Sequence, residues 1–248
     1  MSALSSAPVE VLLRKLQTNS QITEGERQGL KELPIAPRML RADQDIVRQG
    51  DRPSQCSLLL SGWAYRYKVL GSGKRQIVAF HLPGDMPDLQ SLLLPVADHN
   101  IATLSEAVVA LVPHAQMRDF LARHPSLAPV FWRDTLIDAA IFRESMVNIG
   151  QRPATERIAH LLCETCLRLE SIGLAEQVNG SRAFAWPVTQ IELADASGLS
   201  SVHVNRTLQE LRARGLIATK QGHVTIPDWD RLKALAEFVP DYLALNAA

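Results

Sequence analysis

The chain has 248 residues, of which 46% are hydrophobic and 21% are charged, and its 26 basic residues are balanced by 26 acidic ones. This length allows two domains with separate cores, and the neutral balance excludes a chain that is basic throughout, so any nucleic-acid binding requires a local patch. Without an apolar run of ~18 residues or an apolar signal-peptide core, the sequence predicts a cytoplasmic protein with no membrane partner.

The N-terminal half combines short helices with many short strands. Residues 9 to 33 predict one or two amphipathic helices, and Thr23 and Glu26 form a T-x-x-E capping box within them. From about Pro37 to Pro113, β-prone runs alternate with turn residues, which predicts a small antiparallel roll or barrel. The predicted strands are 45–48, 58–60, 64–69, 76–80, 102–104 and 108–112.

Pro125 to Gly150 has helical periodicity and no internal glycine or proline after Pro129. A helix of ~20 residues spans about 30 Å. Its apolar residues lie on more than one side, so it packs either on its own domain and on a second copy of the chain, or on its own domain alone.

A hinge is predicted from Gly150 to Pro153, followed by a helix from Ala154 to Leu169. Residues 189–214 then read as two short helices joined by a tight turn. Thr189 and Glu192 form a second capping box, Gly198 supplies the backbone freedom needed after a helix, and Ser200 can cap the next helix.

In the second of these helices, Val204, Leu208 and Leu211 form one apolar stripe. The opposite face mixes residue types that suit base edges in the major groove, where arginine pairs with guanine, asparagine with adenine, and valine with a thymine methyl group. Those residues are Ser201, Val202, Asn205, Arg206, Gln209 and Arg212. The alternative is a helical hairpin with an ordinary solvated face.

Two β-prone runs, Leu216 to Thr219 and His223 to Ile226, flank Gln221-Gly222 and predict a small hairpin, or wing. Between Ser200 and His223 there are four Arg or Lys residues and one Glu, so the local charge is 4 − 1 = +3. This segment is therefore basic although the whole chain is neutral. A short helix capped by Asp228 is predicted to end the fold.

The segment LADASGLSSVHVNRTLQEL, followed by the wing, resembles the winged helix-turn-helix of the CRP/FNR family of bacterial transcription regulators. The order of roll, long helix, hinge and winged helix is also similar to that family over nearly the whole chain. The expected fold is therefore α+β, with a cyclic-nucleotide-binding-like β-roll (1–124), a long dimerisation helix (125–149) and a winged helix-turn-helix (150–248). The resemblance also implies a homodimer whose roll senses a small molecule or a redox state.

The resemblance implies that the helix at residues 200–212 enters the major groove of double-stranded DNA and that the dimer binds a palindromic site. Arg206 is expected to contact a guanine, and Ser201, Val202, Asn205 and Gln209 to tune the neighbouring bases. The candidates for phosphate contacts are Gln190, Ser200, His203 and Lys220. Family members often have a glutamate where Val202 stands, so the preferred half-site should differ at one base pair. An activator would also contact RNA polymerase.

In members that bind cyclic nucleotides, the roll carries a turn for the ribose and a basic residue for the phosphate. The matching turn here contains Gly84, Asp85 and Met86, which are the candidates for an effector pocket. Between Arg75 and Arg118 there is no Arg or Lys, so a buried phosphate would lack a cationic partner. Cyclic AMP is therefore not expected as the effector.

Another branch of the family holds an iron–sulfur cluster with four cysteines, mostly near the N-terminus. This chain has three cysteines, the first at Cys56, which excludes that branch on ligand count. Cys163 and Cys166 are three residues apart on one predicted helix, where they are either small core residues or a thiol switch, and two thiols do not complete a zinc site. We expect no metal and no cofactor.

His81, His99 and His114 have no recognisable metal-ligand spacing and fit solvated or hydrogen-bonded loop histidines. Enzyme motifs are also missing, because the chain has no GxSxG, P-loop, HExxH or GxGxxG, and Gly71 to Lys74 reads as a hairpin turn. No catalytic residue is expected. The alternative function is a sensor that acts through protein partners, with a helix-turn-helix that no longer binds DNA.

Overall fold

The computed structural model describes residues 7–245, which form two compact units. The first unit comprises the residues up to Lys68 and those from Ala79 to Ala139. The second comprises residues 69–78 and 140–245. The long helix α4 (Ala128–Gln151) contributes to both.

The elements before α4 are short helices and seven strands. The helices are α1 (Ala7–Gln17), α2 (Glu24–Leu30) and α3 (His114–Arg123). The strands are β1 (Ala36–Leu40), β2 (Asp45–Val47), β3 (Gln55–Ser61), β4 (Ala64–Val69), β5 (Arg75–His81), β6 (Asn100–Thr103) and β7 (Ala107–Pro113).

The seven strands form two sheets of the predicted roll, in the orders β1-β7-β3 and β2-β6-β4-β5. The recorded pairings are antiparallel, with Leu58 opposite Ala110 and Tyr65 opposite Ala102. All six predicted strands are confirmed. The sequence missed β1, because Pro37 cannot donate a ladder hydrogen bond and so weakens a strand pattern.

Helix α1 is part of the core of the roll. Leu12, Leu13 and Leu16 are fully buried in a cluster that includes Leu58 of β3 and Met86. The burial of these three leucines follows the spacing of one helix face. The predicted capping box at Thr23 and Glu26 is confirmed at the start of α2.

Helix α4 has 24 residues and begins after a single 3-10 turn at Pro125–Leu127. Val130, Ile137 and Ile141 are buried, as expected for the inward stripe. The outward side carries large apolar residues, and Trp132 is 67% and Met146 75% exposed. Apolar surface on more than one side of the helix is therefore confirmed within the single chain.

The second unit contains the predicted helix-turn-helix and wing. Its helices are α5 (Ala154–Ser171), α6 (Gln190–Ser197), α7 (Ser201–Ala213) and α8 (Trp229–Leu235). Its strands are β8 (Ala175–Val178), β9 (Ser181–Ala185), β10 (Ala218–Lys220) and β11 (His223–Ile226). The predicted cap of the last helix is confirmed, because Arg231 N donates to the Asp228 carboxylate at 3.1 Å.

The four strands of this unit form one antiparallel sheet in the order β10-β11-β9-β8. The sequence predicted only β10 and β11. Asn179 and Gly180, which join β8 to β9, both have positive φ, as a two-residue hairpin turn requires. Among residues 7–245, no helix is both long enough and apolar enough to span a membrane.

Candidate nucleic-acid interface

Helix α6 supports the site and is fixed at both ends by its sequence. Thr189 N donates to the Glu192 carboxylate at 2.6 Å, and Glu192 N donates to Thr189 Oγ1 at 3.3 Å, which confirms the capping box. Leu193 and Ala194 are buried. Gly198 ends the helix with φ 64° and ψ 31°, a left-handed conformation that glycine adopts without steric cost.

Helix α7 begins immediately after this turn. His203 N donates to Ser200 Oγ at 3.2 Å, so Ser200 caps the helix as predicted. Val204, Thr207 and Leu211 are buried. Leu208, the third residue of the predicted stripe, is half-buried, and Thr207 is buried beside the stripe, three residues after Val204.

The outer face of α7 presents side chains to solvent. Val202 is 79% exposed, and a β-branched hydrocarbon gains no hydrophobic stabilisation in that position. The guanidinium of Arg206 makes no hydrogen bond or ion pair with any of residues 7–245. Five predicted base-reading residues are exposed together on this face: Ser201, Val202, Asn205, Arg206 and Gln209.

The basic charge of this region is distributed unequally. Arg214 pairs with Glu210 at 3.3 Å, and Arg212 donates to Thr219 Oγ1 of β10 at 3.0 Å. This hydrogen bond links Arg212, one of the predicted base-reading residues, to the wing. Within the described part of the chain, Arg206, Arg212 and Lys220 make no ion pair, so their charges are not neutralised by a carboxylate.

The wing places more of the predicted residues near α6. Gln221 and Gly222 both have positive φ, and they turn the chain tightly between β10 and β11. A cleft of about 260 Å³ lies between the wing, α6 and α7, and Gln190 and Lys220 both line it. The structure thus brings together two of the four residues predicted to contact phosphate. Ser200 is exposed at the start of α7, and His203 is half-buried one turn later.

The candidate effector turn of the first unit is closed. Asp85 and Met86 are buried, and Asp85 accepts a hydrogen bond from Leu82 N at 2.9 Å. The Lys15 ammonium of α1 lies 3.2 Å from the same carboxylate. A side chain at Gly84 would meet α1, because its Cβ would lie 2.6 Å from Lys15 Cβ. The structure therefore places Gly84, Asp85 and Met86 beneath α1 instead of in an open pocket.

The cysteines belong to the protein interior. Cys56, Cys163 and Cys166 are free and fully buried. Burial raises the pKa of the Cys56 and Cys166 thiols to about 12, and it also raises the pKa of Cys163. A buried thiol with a raised pKa is a poor nucleophile and a poor metal ligand, which supports the interpretation as core residues.

The three histidines of the roll have polar neighbours. His114 Nε2 lies 2.9 Å from Ser91 Oγ, and His99 Nδ1 lies 2.6 Å from the Asp98 carboxylate. His81 is fully buried, and its burial lowers its pKa. Across residues 7–245, His, Cys, Asp and Glu side chains do not form a group of three or more that could hold a metal ion.

Comparison with known proteins matches both halves of the chain. Residues 37–124 match the profile of the cyclic nucleotide-binding domain, and residues 156–235 match the profile of the Crp-like helix-turn-helix domain. The nitrogen fixation regulation protein FixK of Rhizobium meliloti is 27% identical over 209 residues, which cover 82% of this chain and 89% of FixK.

Two further proteins extend this similarity. The transcriptional activator protein FnrL of Cereibacter sphaeroides is 27% identical over 199 residues, which cover 79% of this chain and 78% of FnrL. The structure of FixK2 from Bradyrhizobium japonicum aligns with a TM-score of 0.72 at 25% identity, covering 82% of this chain and 98% of FixK2. The relatives and the shared fold are those of transcription regulators and not of enzymes.

Proposed function

This chain belongs to the CRP/FNR family of transcription regulators and carries the helix-turn-helix DNA-binding domain of that family, and we propose that it reads a two-fold symmetric DNA site as a homodimer. The outer face of α7 is the observation that supports this proposal most strongly. It holds an unpaired arginine and an exposed valine beside three small or amide side chains. A DNA-binding regulator acts where the chromosome is, so we place this activity in the cytoplasm.

Each position on this face has a proposed partner in the major groove. Arg206 donates two hydrogen bonds to guanine O6 and N7, Val202 contacts a thymine methyl group, and Asn205 pairs with adenine. Ser201 and Gln209 contact the neighbouring bases. Sequence specificity then depends mainly on Arg206, because a bidentate pair discriminates more strongly than a methyl contact.

The phosphates are proposed to lie along the edges of the same site. Gln190 and Lys220 share the cleft between α6 and the wing, where an amide N–H and an ammonium group can both reach a phosphate oxygen. Ser200 and His203, at the start of α7, contact the other flank. These four contacts fix the orientation of α7 in the groove without reading sequence.

The proposed dimer forms through α4. Trp132, Leu136, Ala139, Arg143 and Met146 follow a spacing of 4, 3, 4 and 3 residues, and four of the five are exposed. This is the spacing of a coiled-coil seam, so two copies of α4 can pack side by side along about 36 Å. Two recognition helices then face half-sites about one helical turn of DNA apart.

The signal and the direction of control belong to the same proposal. FnrL is named a transcriptional activator, which favours activation through a contact with RNA polymerase. Neither cyclic AMP nor an iron–sulfur cluster suits this chain, because the segment from Gln76 to Met117 has no Arg or Lys and the three cysteines are too few and buried. The effector is therefore proposed to be of another kind, or to be unnecessary for binding.

A selection from a random pool of DNA duplexes tests the proposal. The purified full-length protein is used without added ligand at two salt concentrations, and its mass is measured by analytical ultracentrifugation. We expect a dimer and an enriched palindrome whose affinity falls steeply with salt. Sequence-blind binding with a small salt slope would contradict the proposal and favour a regulator that acts through protein partners.

The seam is tested by a pair of variants. Leu136→Lys places a charge in the proposed dimer interface and should shift the protein to monomers. Met39→Lys changes an exposed apolar residue of β1 outside α4 and serves as the control. If both variants remained dimers, another surface would have to hold the two copies together.

A further inference from the structure

Helix α1 covers the candidate effector turn in a way that links it to α4. Lys15 points its ammonium group between two carboxylates, 3.2 Å from Asp85 in the turn and 3.3 Å from Asp134 in α4. All three side chains are largely buried. One cation of the N-terminal helix therefore bridges the turn and the long helix.

A second bridge connects the same two elements. Arg66 of β4 donates to Asp138 of α4 at 3.0 Å, and its other terminal nitrogen donates to the carbonyl of Pro87, directly after the turn. Arg66 is only 4% exposed. The roll supplies this bridge, whereas α1 supplies the bridge through Lys15.

The fit of α1 over the turn is close. Gly84 has φ +95°, and a Cβ at this position would lie 2.6 Å from Lys15 Cβ and 2.9 Å from the Val11 carbonyl oxygen. The end of the helical segment is also fastened, because Arg133 of α4 donates to the Asn19 carbonyl at 2.9 Å. Backbone and side chains of the N-terminal segment thus fill the space above the turn.

We propose that α1 acts as a built-in ligand of the roll: Lys15 clamps the Gly84-Asp85 turn to α4 and so holds the dimer seam in its DNA-binding arrangement without a small molecule. The coupling to the seam follows from the positions of Asp134 and Asp138. Both lie on α4 between and beside the seam residues Trp132 and Leu136. Fixing these carboxylates fixes the rotation of the seam.

Charged and titratable groups from α1, β4, β5, the turn and α4 surround this clamp. Lys15 and Arg66 face Asp85, Asp134 and Asp138, and His81 lies 3.7 Å from Asp85. Burial lowers the pKa of His81, so the imidazole stays neutral near pH 7. Burial also raises the pKa of Asp134, which the Lys15 ammonium opposes. Without Lys15, the buried carboxylates of Asp85 and Asp134 would lose the ammonium group that lies within 3.3 Å of both.

Lys15→Met tests the clamp, and Arg14→Met is the control, because Arg14 is the exposed neighbour in the same helix. Hydrogen–deuterium exchange of residues 82–86 and 128–139 is measured in both variants, together with the dimer dissociation constant. We expect roughly tenfold faster exchange and a roughly tenfold weaker dimer in Lys15→Met only, a coupling within the usual range.

A second pair of variants displaces α1 from the turn by a steric clash instead of by the loss of a charge. Gly84→Ala and Gly50→Ala both place an alanine at a positive φ, +95° and +92°, but only the methyl group at residue 84 would meet α1. Gly84→Ala should reproduce the effects of Lys15→Met, and Gly50→Ala should not. This pair also remains informative if Lys15→Met fails to fold.

The inference rests on the proposed dimeric DNA reader, and the measurements separate the two. If the wild type were monomeric or bound no specific DNA, the proposed function would fail, while the exchange data would still report the clamp. If Lys15→Met and Gly84→Ala both matched their controls in exchange and in dimer dissociation, the built-in ligand would be overturned.

Discussion

Two arginines show how differently the two units use a charge. Arg66 in the roll is buried, and its guanidinium bonds to Asp138 and to the Pro87 carbonyl. Arg206 in α7 is exposed and bonds to no other described residue. The buried guanidinium of Arg66 therefore stabilises the fold, whereas the exposed guanidinium of Arg206 can bind a partner without breaking a contact within the chain. The same division holds for their surroundings, since the candidate effector turn is buried and the outer face of α7 is exposed.

The largest expected effect is the loss of the interior charge. Arg66→Met should lower the free energy of unfolding by about 3 kcal/mol, because it leaves the Asp138 carboxylate and the Pro87 carbonyl without their partner. Arg206→Ala should change it by less than about 0.5 kcal/mol, because surface changes away from packing contacts are nearly neutral. Urea unfolding of both variants measures the difference, and similar losses would contradict the contrast.

DNA binding, unlike stability, should depend on the exposed Arg206. Arg206→Ala is expected to cost about 1–3 kcal/mol on the preferred site and to relax discrimination at one base pair. Arg214→Ala is the control, since Arg214 is already paired with Glu210. Fluorescence anisotropy with single-base variants of the site provides the test. If mutant and wild type bound every site variant equally, Arg206 would have no role in reading.

A smaller change should alter preference more than affinity. Val202→Glu replaces a group that can only contact a methyl with one that accepts a hydrogen bond from a cytosine amine. We expect a switch of about 1–2 kcal/mol between thymine and cytosine at one base pair, at unchanged stability. Repeating the random-pool selection with the variant would show this switch, and an unchanged consensus would place Val202 outside the reading face.

The smallest expected effect is that of a single phosphate contact. Lys220→Ala should weaken binding by a similar factor on all sequences and reduce the slope of log affinity against log salt by about 1. Titrations at several salt concentrations on specific and non-specific duplexes measure both quantities. An unchanged slope would show that the ammonium of Lys220 does not reach the phosphates.

The helix-turn-helix and the exposed outer face of α7 could be predicted from the sequence because their signals are local. Capping residues, a left-handed glycine and the spacing of Val204 and Leu211 all lie within a few turns of one another. The spacing did not show that Thr207 is more buried than Leu208, because a period of 3.6 residues per turn does not decide between adjacent positions at the edge of a stripe. Asn179-Gly180 is an equally local signal for the hairpin of β8 and β9, and it could have been used.

The covered turn could not be predicted in the same way. Lys15, Asp85 and Asp134 are separated by 70 and 49 residues, and no periodic pattern connects an isolated lysine with two distant carboxylates. The sequence identified the turn by the similarity of Gly84, Asp85 and Met86 to the ribose-binding turn of the family. That similarity does not show that α1 covers the turn. The sequence also missed helix α3. This helix follows β7 directly, and Pro113 at its start provides no side-chain cap to mark the boundary.

Interference by N7-methylguanine tests the central claim most directly. Methylation of N7 blocks the acceptor that an arginine needs in the major groove, so it marks each guanine that is read through this atom. We predict interference at one guanine in each half-site with the wild-type protein, and its loss with Arg206→Ala. If Arg206→Ala showed the same interference at the same guanine, Arg206 would not be the residue that reads it, and the proposed orientation of α7 would be wrong.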